Sequence, residues 1–175
     1  NKTRRKLKLF VCGPTVYDSP HLGHARTCIV FDALVRYLRH EKYRVFYLQN
    51  ITDIDDKIID RAIKENKKPL ALARNFEKEF LAAMKKLKVI SVDKNARATD
   101  HIPQIIKQIK TLIRKGAAYK IENEGYYFDI SKFKDYGKLS GRTKEQAEDS
   151  VSRIDQNIKK RNKGDFCLWK FSGVN

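Results

Sequence analysis

Residues 7–24 read Leu-Lys-Leu-Phe-Val-Cys-Gly-Pro-Thr-Val-Tyr-Asp-Ser-Pro-His-Leu-Gly-His, and this stretch decides the fold. The apolar run at its start is closed by Gly13 and Pro14, a pattern that predicts a buried strand followed by a sharp turn. Ser19 is suited to cap a helix, and Pro20 fits the first helical position because its missing donor costs nothing there. We therefore expect a strand, a loop and a helix start in close succession.

The helix predicted from about residue 21 to residue 40 has a broad apolar face, as expected of a helix packed on a sheet. A second short apolar run follows at residues 45–48. A strand, a long helix and a second strand within about fifty residues form a βαβ unit, in which the two strands are parallel. The predicted fold class is α/β.

Three further helices are predicted from amphipathic spacing, at residues 51–64, 68–87 and 102–115. Thr52 and Asp53 stand at the front of the first of these, and Gly116 ends the last by offering a left-handed conformation. Residues 118–130 change to a strand pattern around a turn and predict a β-hairpin. Residues 144–163 are highly charged and predict an exposed helix or a loop.

Composition predicts a folded domain with an affinity for polyanions. The chain has 175 residues, 38 Lys and Arg against 21 Asp and Glu, and a formal charge of +17, which favours nucleic acids, nucleotides or acidic surfaces as partners. Cys12, Cys28 and Cys167 form no Cys-x-x-Cys pair, and an odd number of cysteines suits a reducing compartment. No apolar run has the ~18 residues that a membrane helix needs. We expect a cytoplasmic protein without a membrane partner.

The loop between the first strand and the first helix is the expected ligand position of a parallel α/β sheet. A helix N-terminus attracts anions, and His21 and His24 are neighbours on its first turn, where both can donate to one phosphoryl group. Gly23 between them leaves room for a flat ligand. The pattern thus indicates nucleotide binding with charge stabilisation at a phosphorus atom.

Two other interpretations of these residues stay open on spacing alone. The histidines could be surface residues near a helix start, or a metal pair that lacks a third partner. Cys12 at the end of a strand is more often a small buried residue than a ligand. Asp53, Asp55 and Asp56 are as suited to a helix start as to a ligand contact.

Pro20-His21-Leu22-Gly23-His24 resembles the signature named for His-Ile-Gly-His in class I aminoacyl-tRNA synthetases. Four longer strings resemble the cysteinyl-tRNA synthetase branch, in order and over nearly the whole chain: residues 12–18, 50–57, 97–99 and 165–170. The resemblance implies activation of L-cysteine with ATP and Mg²⁺, followed by transfer to tRNA(Cys), by an enzyme that we expect to be a monomer.

The resemblance also assigns roles to individual residues. His21 and His24 would hold the triphosphate and the charge that develops at the α-phosphorus, Gly23 would admit the adenosine, and Thr15 and Tyr17 would complete the ATP-binding segment.

Cys12, Gly13 and Thr52 match positions that contact the amino acid, and Cys12 would also supply one ligand to Zn²⁺. A thiolate on zinc distinguishes cysteine from serine in a way that packing cannot.

The resemblance further implies the first half of a Rossmann-like nucleotide-binding domain at residues 1–96, an inserted α+β connective region at 97–165 and a return towards the catalytic domain at 166–175. The other zinc ligands, the Lys-Met-Ser-Lys-Ser loop and the anticodon-binding region are not in this sequence. We therefore expect the chain to belong to a longer protein. Two alternatives remain: a cysteine-activating ligase of mycothiol synthesis, and a noncatalytic nucleotide- or RNA-binding module.

Overall fold

The computed structural model describes residues 5–141 and 158–171, which divide into two compact units, residues 1–102 and 103–175. The first unit is a parallel three-stranded sheet in the order β1-β2-β3 with three helices. Its elements are β1 (Lys6–Val11), α1 (Leu22–His40), β2 (Arg44–Ile51), α2 (Asp56–Lys64), α3 (Pro69–Lys86) and β3 (Lys94–Arg97), followed by a 3₁₀ turn at Thr99–His101. The predicted βαβ unit and the α/β fold class are confirmed.

The second unit is an antiparallel sheet in the order β4-β5-β6 with one helix. Its elements are α4 (Ile102–Arg114), β4 (Ala118–Ile121), β5 (Gly125–Phe128), a 3₁₀ turn at Ile130–Lys132 and β6 (Phe166–Lys170). The predicted hairpin is confirmed, and Gly116 follows α4 with the left-handed φ of +67° that the sequence indicated. The charged segment 144–163 lies outside the described residues up to 157, and residues 158–163 form turns and bends.

The predicted domain boundaries differ from this division. Thr99 hydrogen-bonds to Asp53 and so stays with the first unit, whereas the boundary predicted from sequence precedes it at residue 96. Residues 166–170 pair with β5 in the second sheet. A correspondence of these units with a catalytic half and an inserted region of a longer protein remains a proposal.

Two helix starts differ from the prediction. Ile51 and the residues before it continue β2, and α2 begins only at Asp56 with Asp55 as its cap. The first helix begins at Leu22 with His21, not Ser19, as its cap. In both places a side chain further along the chain accepts from a free backbone N–H: Asp55 Oδ1 from Lys57 and His21 Nδ1 from Gly23.

The core of the first unit lies between the sheet and its helices and anchors the loop after β1. Val16, from that loop, is 1% exposed and packs in one apolar cluster with residues of β2, α1, α2 and α3. Cys28 belongs to the same cluster. No helix among the described residues is long and apolar enough to cross a lipid bilayer.

Candidate active site

The loop after β1 begins with a close approach of two backbones. A Cβ at Gly13 would lie 1.7 Å from the carbonyl oxygen of Asn50, so no other residue fits here without a backbone shift. The Gly13 N–H donates to Asn50 Oδ1 at 2.8 Å. Cys12, just before this contact, is a free and exposed thiol. The interpretation of Cys12 as a buried strand-end residue is therefore wrong.

Thr15 and Thr52 form a parallel bridge that extends the pairing of β1 with β2 beyond the strand ends. The N–H of Val16 donates to Thr52 O at 3.1 Å, and the N–H of Thr52 donates to Pro14 O at 3.0 Å. Tyr17 is half-buried against the core, and the ammonium group of Lys57 lies 5.3 Å from the centroid of its ring. Thr15, Tyr17 and Thr52 thus line one continuous segment.

Asp18 and Ser19 hold the end of this segment to two helices. Asp18 Oδ1 is 2.7 Å from Arg61 Nη1, and this bond, with the N–H of Ser19, keeps the pKa of Asp18 below its ordinary value. The Ser19 hydroxyl donates to Glu79 Oε2 at 3.0 Å and does not cap α1.

The start of α1 is capped reciprocally by two histidines. His21 Nδ1 accepts from the N–H of Gly23 at 3.0 Å, and His24 Nδ1 accepts from the N–H of His21 at 3.3 Å. The two imidazoles stack with their centroids 3.9 Å apart. This is the geometry of a capping box, with histidine in both places that usually hold Ser or Thr and Glu.

The cap fixes which nitrogen carries the proton. A backbone N–H can only donate, so each Nδ1 is an acceptor, and in the neutral ring the proton lies on Nε2. Burial, and then the charge of the neighbouring His21, lower the pKa of His24. Phe80 contacts the His24 ring edge-on, with centroids 6.3 Å apart. Two adjacent Nε2–H donors at a helix N-terminus can hold the oxygens of one phosphate.

The structure gives a reason for glycine at position 23 that the sequence did not reveal. A Cβ at this position would lie 2.8 Å from Cε1 of His21, so a larger residue would displace the capping imidazole. Room for a flat ligand at Gly23 stays a prediction.

Three of the predicted residues, Cys12, Gly13 and His24, share the wall of a cavity of about 50 Å³. The other lining residues, which sequence reasoning did not assign to the site, are Pro14, Thr27, Cys28, Gln49 and Phe80. Two larger clefts, of about 550 and 530 Å³, lie along α4 and at the amino ends of β1 and β2. Neither contains a predicted site residue, and the amino ends of parallel strands are not where such sheets bind ligands.

Two of the aspartates after β2, Asp53 and Asp55, accept hydrogen bonds from neighbouring parts of the fold. Asp55 Oδ1 accepts from the N–H of Lys57 at 2.9 Å and caps α2. Asp53 is 1% exposed and accepts from Thr99 N at 3.0 Å, Thr99 Oγ1 at 2.5 Å and Arg74 Nη1 at 2.8 Å. Burial alone would raise the pKa of Asp53, but these bonds outweigh it and lower the pKa.

A protein zinc site needs three or four ligands, and Cys12 could supply at most one of them. Residues 5–141 and 158–171 contain no group of three or more His, Cys, Asp or Glu side chains that could hold a metal ion. The exposed thiol of Cys12 fits the role of one ligand, and the described residues alone do not complete a zinc site.

Solved structures with the same fold are class I synthetases. Methionyl-tRNA synthetase of Mycobacterium tuberculosis, bound by methionyl-adenylate, matches 87% of this chain and 39% of its own with a TM-score of 0.66 at 18% identity. LeuRS of Agrobacterium radiobacter, in a ternary complex with tRNA and LeuAMS, matches 75% of this chain and 17% of its own, with a TM-score of 0.61 at 19% identity. The chain thus shares the fold of these class I synthetases.

Sequence comparison names the family within that class. The family described as tRNA synthetases class I (C) catalytic domain matches residues 1–175, and the chain belongs to it. Cysteine–tRNA ligase of Thermoplasma volcanium is 51% identical over 167 residues, and that of Pyrococcus horikoshii 50% identical over 165. These matches cover 95% and 94% of this chain. The chain spans about a third of the length of these relatives, 36% and 34%.

Proposed function

We propose that this chain is the ATP-facing part of a cysteine–tRNA ligase, which forms cysteinyl-adenylate from L-cysteine and ATP and transfers the cysteinyl group to tRNA(Cys). The observation that carries the proposal is the capped histidine pair. His21 and His24 each use Nδ1 to cap the helix, which leaves both Nε2–H groups as donors. The identity of about 50% to cysteine–tRNA ligases supports cysteine as the amino acid.

In the proposed reaction, the cysteine carboxylate attacks the α-phosphorus of Mg²⁺-bound ATP and pyrophosphate leaves. Negative charge increases on the α-phosphoryl oxygens in the transition state, where His21 and His24 donate from Nε2. Each such preorganised donor contributes about 2.7–4 kcal/mol to transition-state stabilisation. Thr15, Tyr17 and Gly23 form the surface on which the nucleotide lies.

Cys12, Gly13 and Thr52 bind the amino acid in this proposal. Cys12 Sγ would be one ligand of Zn²⁺, which when bound would hold the thiolate of cysteine and reject the hydroxyl of serine. The remaining ligands would come from residues beyond this chain, as would the anticodon-binding region. The exposed thiol next to the cavity that His24 lines supports this role.

The test is cysteine-dependent exchange of labelled pyrophosphate into ATP by the complete gene product, followed by an assay of acceptors. We expect exchange with cysteine, little with serine, and charging of tRNA(Cys). Transfer to an amino sugar and not to tRNA would instead support the mycothiol alternative. Absence of exchange with any amino acid would support the noncatalytic alternative.

A further inference from the structure

Asn50 lies near the end of β2 and is hydrogen-bonded to two of the residues proposed to bind the amino acid. Its Oδ1 accepts from the N–H of Gly13 at 2.8 Å, and its Nδ2 donates to Thr52 Oγ1 at 3.1 Å. The half-buried amide therefore spans the carboxyl ends of β1 and β2.

The bond from Gly13 to Asn50 fixes the direction of the bond from Asn50 to Thr52. The backbone N–H of Gly13 can only donate, so the oxygen of the Asn50 amide must face it and the NH₂ group must face Thr52. The Thr52 hydroxyl oxygen then accepts, and its own hydrogen is left to donate elsewhere. Among residues 5–141 and 158–171, the structure shows no hydrogen bond donated by that hydroxyl.

The backbone that carries Thr52 is held on both sides. The bridge to Thr15 fixes Thr52 itself. The next residue, Asp53, is buried and bonded to Thr99 and Arg74. Because the backbone cannot shift readily, the position of the hydroxyl is set by its side-chain rotamer, and its direction is set by Asn50.

We propose that Asn50 is a positioning residue that turns the Thr52 hydroxyl into a hydrogen-bond donor directed at an acceptor atom of the amino-acid substrate, its carboxylate or its sulfur. The inference rests on the proposed function, since it takes Thr52 as a substrate contact. It adds a residue that does not touch the substrate and a direction for the bond of one that does.

The decisive variant is Asn50→Asp in the complete gene product. A carboxylate of the same shape keeps the acceptor for Gly13 but cannot donate, so the Thr52 hydroxyl turns to donate to it and is lost to the substrate. We expect the KM for cysteine in pyrophosphate exchange to rise about tenfold, as for one lost hydrogen bond. The KM for ATP should stay within about twofold, because the histidine pair is untouched.

Variants of Thr52 provide the matched controls. Thr52→Ser keeps the hydroxyl and should resemble the parent, whereas Thr52→Val should raise the KM for cysteine as Asn50→Asp does. Asn50 acts through Thr52 in this proposal, so Asn50→Asp combined with Thr52→Val should be no worse than Thr52→Val alone. If Asn50→Asp does not fold, Asn50→Ala replaces it in the cycle. The part of its rise in KM that disappears in the Thr52→Val background then measures the effect through Thr52, and the rest comes from the Gly13 N–H that has lost its acceptor.

An unchanged KM for cysteine in Asn50→Asp, or full additivity with Thr52→Val, would overturn the inference while leaving the proposed function intact. An equal rise in both KM values would also overturn it, because it would indicate a general disturbance of the site. If the unaltered protein itself shows no cysteine-dependent exchange, the proposed function fails first.

Discussion

Substituting His21 by asparagine separates its two roles at the start of α1. Asn Oδ1 occupies the place of Nδ1 and can accept the Gly23 N–H that His21 now accepts at 3.0 Å, but asparagine has nothing in the place of Nε2. His21→Asn should therefore keep the helix cap and lose the phosphate donor. His21→Ala should lose both.

The expected magnitudes follow from these two bonds. Loss of one preorganised donor to a developing charge lowers kcat about 10²- to 10³-fold, or about 2.7–4 kcal/mol. Loss of an N-cap costs about 0.5–2 kcal/mol of stability. The two variants should thus show the same kcat in pyrophosphate exchange at saturating ATP and cysteine, while only His21→Ala should have a lower urea midpoint.

Near-normal exchange by His21→Asn would refute this reasoning, because it would make the cap the whole function of the imidazole. A rate for His21→Ala far below that of His21→Asn would do the same. His24→Asn is the matched comparison, since its Oδ1 can keep the second half of the reciprocal cap.

Three further predictions concern neighbouring groups. Thr99→Val should destabilise the first unit by about 1.5–3 kcal/mol in urea unfolding, because it removes a donor to the buried carboxylate of Asp53, whereas Thr99→Ser should be near neutral. The pKa of Asp53 in the folded protein is lowered, so this contribution to stability is present above pH 3.8 and is lost as the pH falls through the pKa of the folded state. The difference in stability between Thr99→Val and the parent should therefore shrink in acid, and an unchanged difference would contradict this prediction. His24 should titrate below its ordinary 6.5 in an NMR titration of its ring, and a midpoint above that value would exclude the burial effect. Cys12→Ser should reduce the zinc content of the complete gene product in elemental analysis, and unchanged metal would remove Cys12 from the proposed site.

The βαβ unit could be predicted because its signals are local. An apolar run ending at Gly13-Pro14 and a helical apolar period specify the first strand and helix without help from the rest of the chain. β3 could not be found in this way: Lys94–Arg97 is four residues long and mostly polar, and pairing with β2 makes it a strand. The predicted start of α2 was wrong for a related reason. Pairing in the parallel sheet keeps the residues up to Ile51 in β2, and the helix begins only after its cap at Asp55.

The sequence suggested the residue types of the candidate site but not the bonds that they make. His21 and His24 were predicted as phosphate-binding residues from their spacing at a helix start, but that they cap the helix with Nδ1 depends on backbone geometry that no spacing contains. Asn50 lies in a string already compared with the family, yet its role is visible only once β1 and β2 are adjacent. Ser19 was the expected cap because its residue type is the commoner one there, and Glu79 engages its hydroxyl instead.

A site that stabilises a transition state must hold its donors in place before the substrate arrives, since reorientation during the reaction costs part of the stabilisation. In the proposed site, two independent sets of bonds would do this. Reciprocal capping fixes His21 and His24 within one helical turn. Strand pairing and the Asn50 amide fix Gly13 and Thr52 between two strands. The two sets share no hydrogen bond. Substitutions in the histidine set should therefore alter kcat or the KM for ATP, and substitutions in the Asn50 set should alter the KM for cysteine. This separability is what makes each assignment testable.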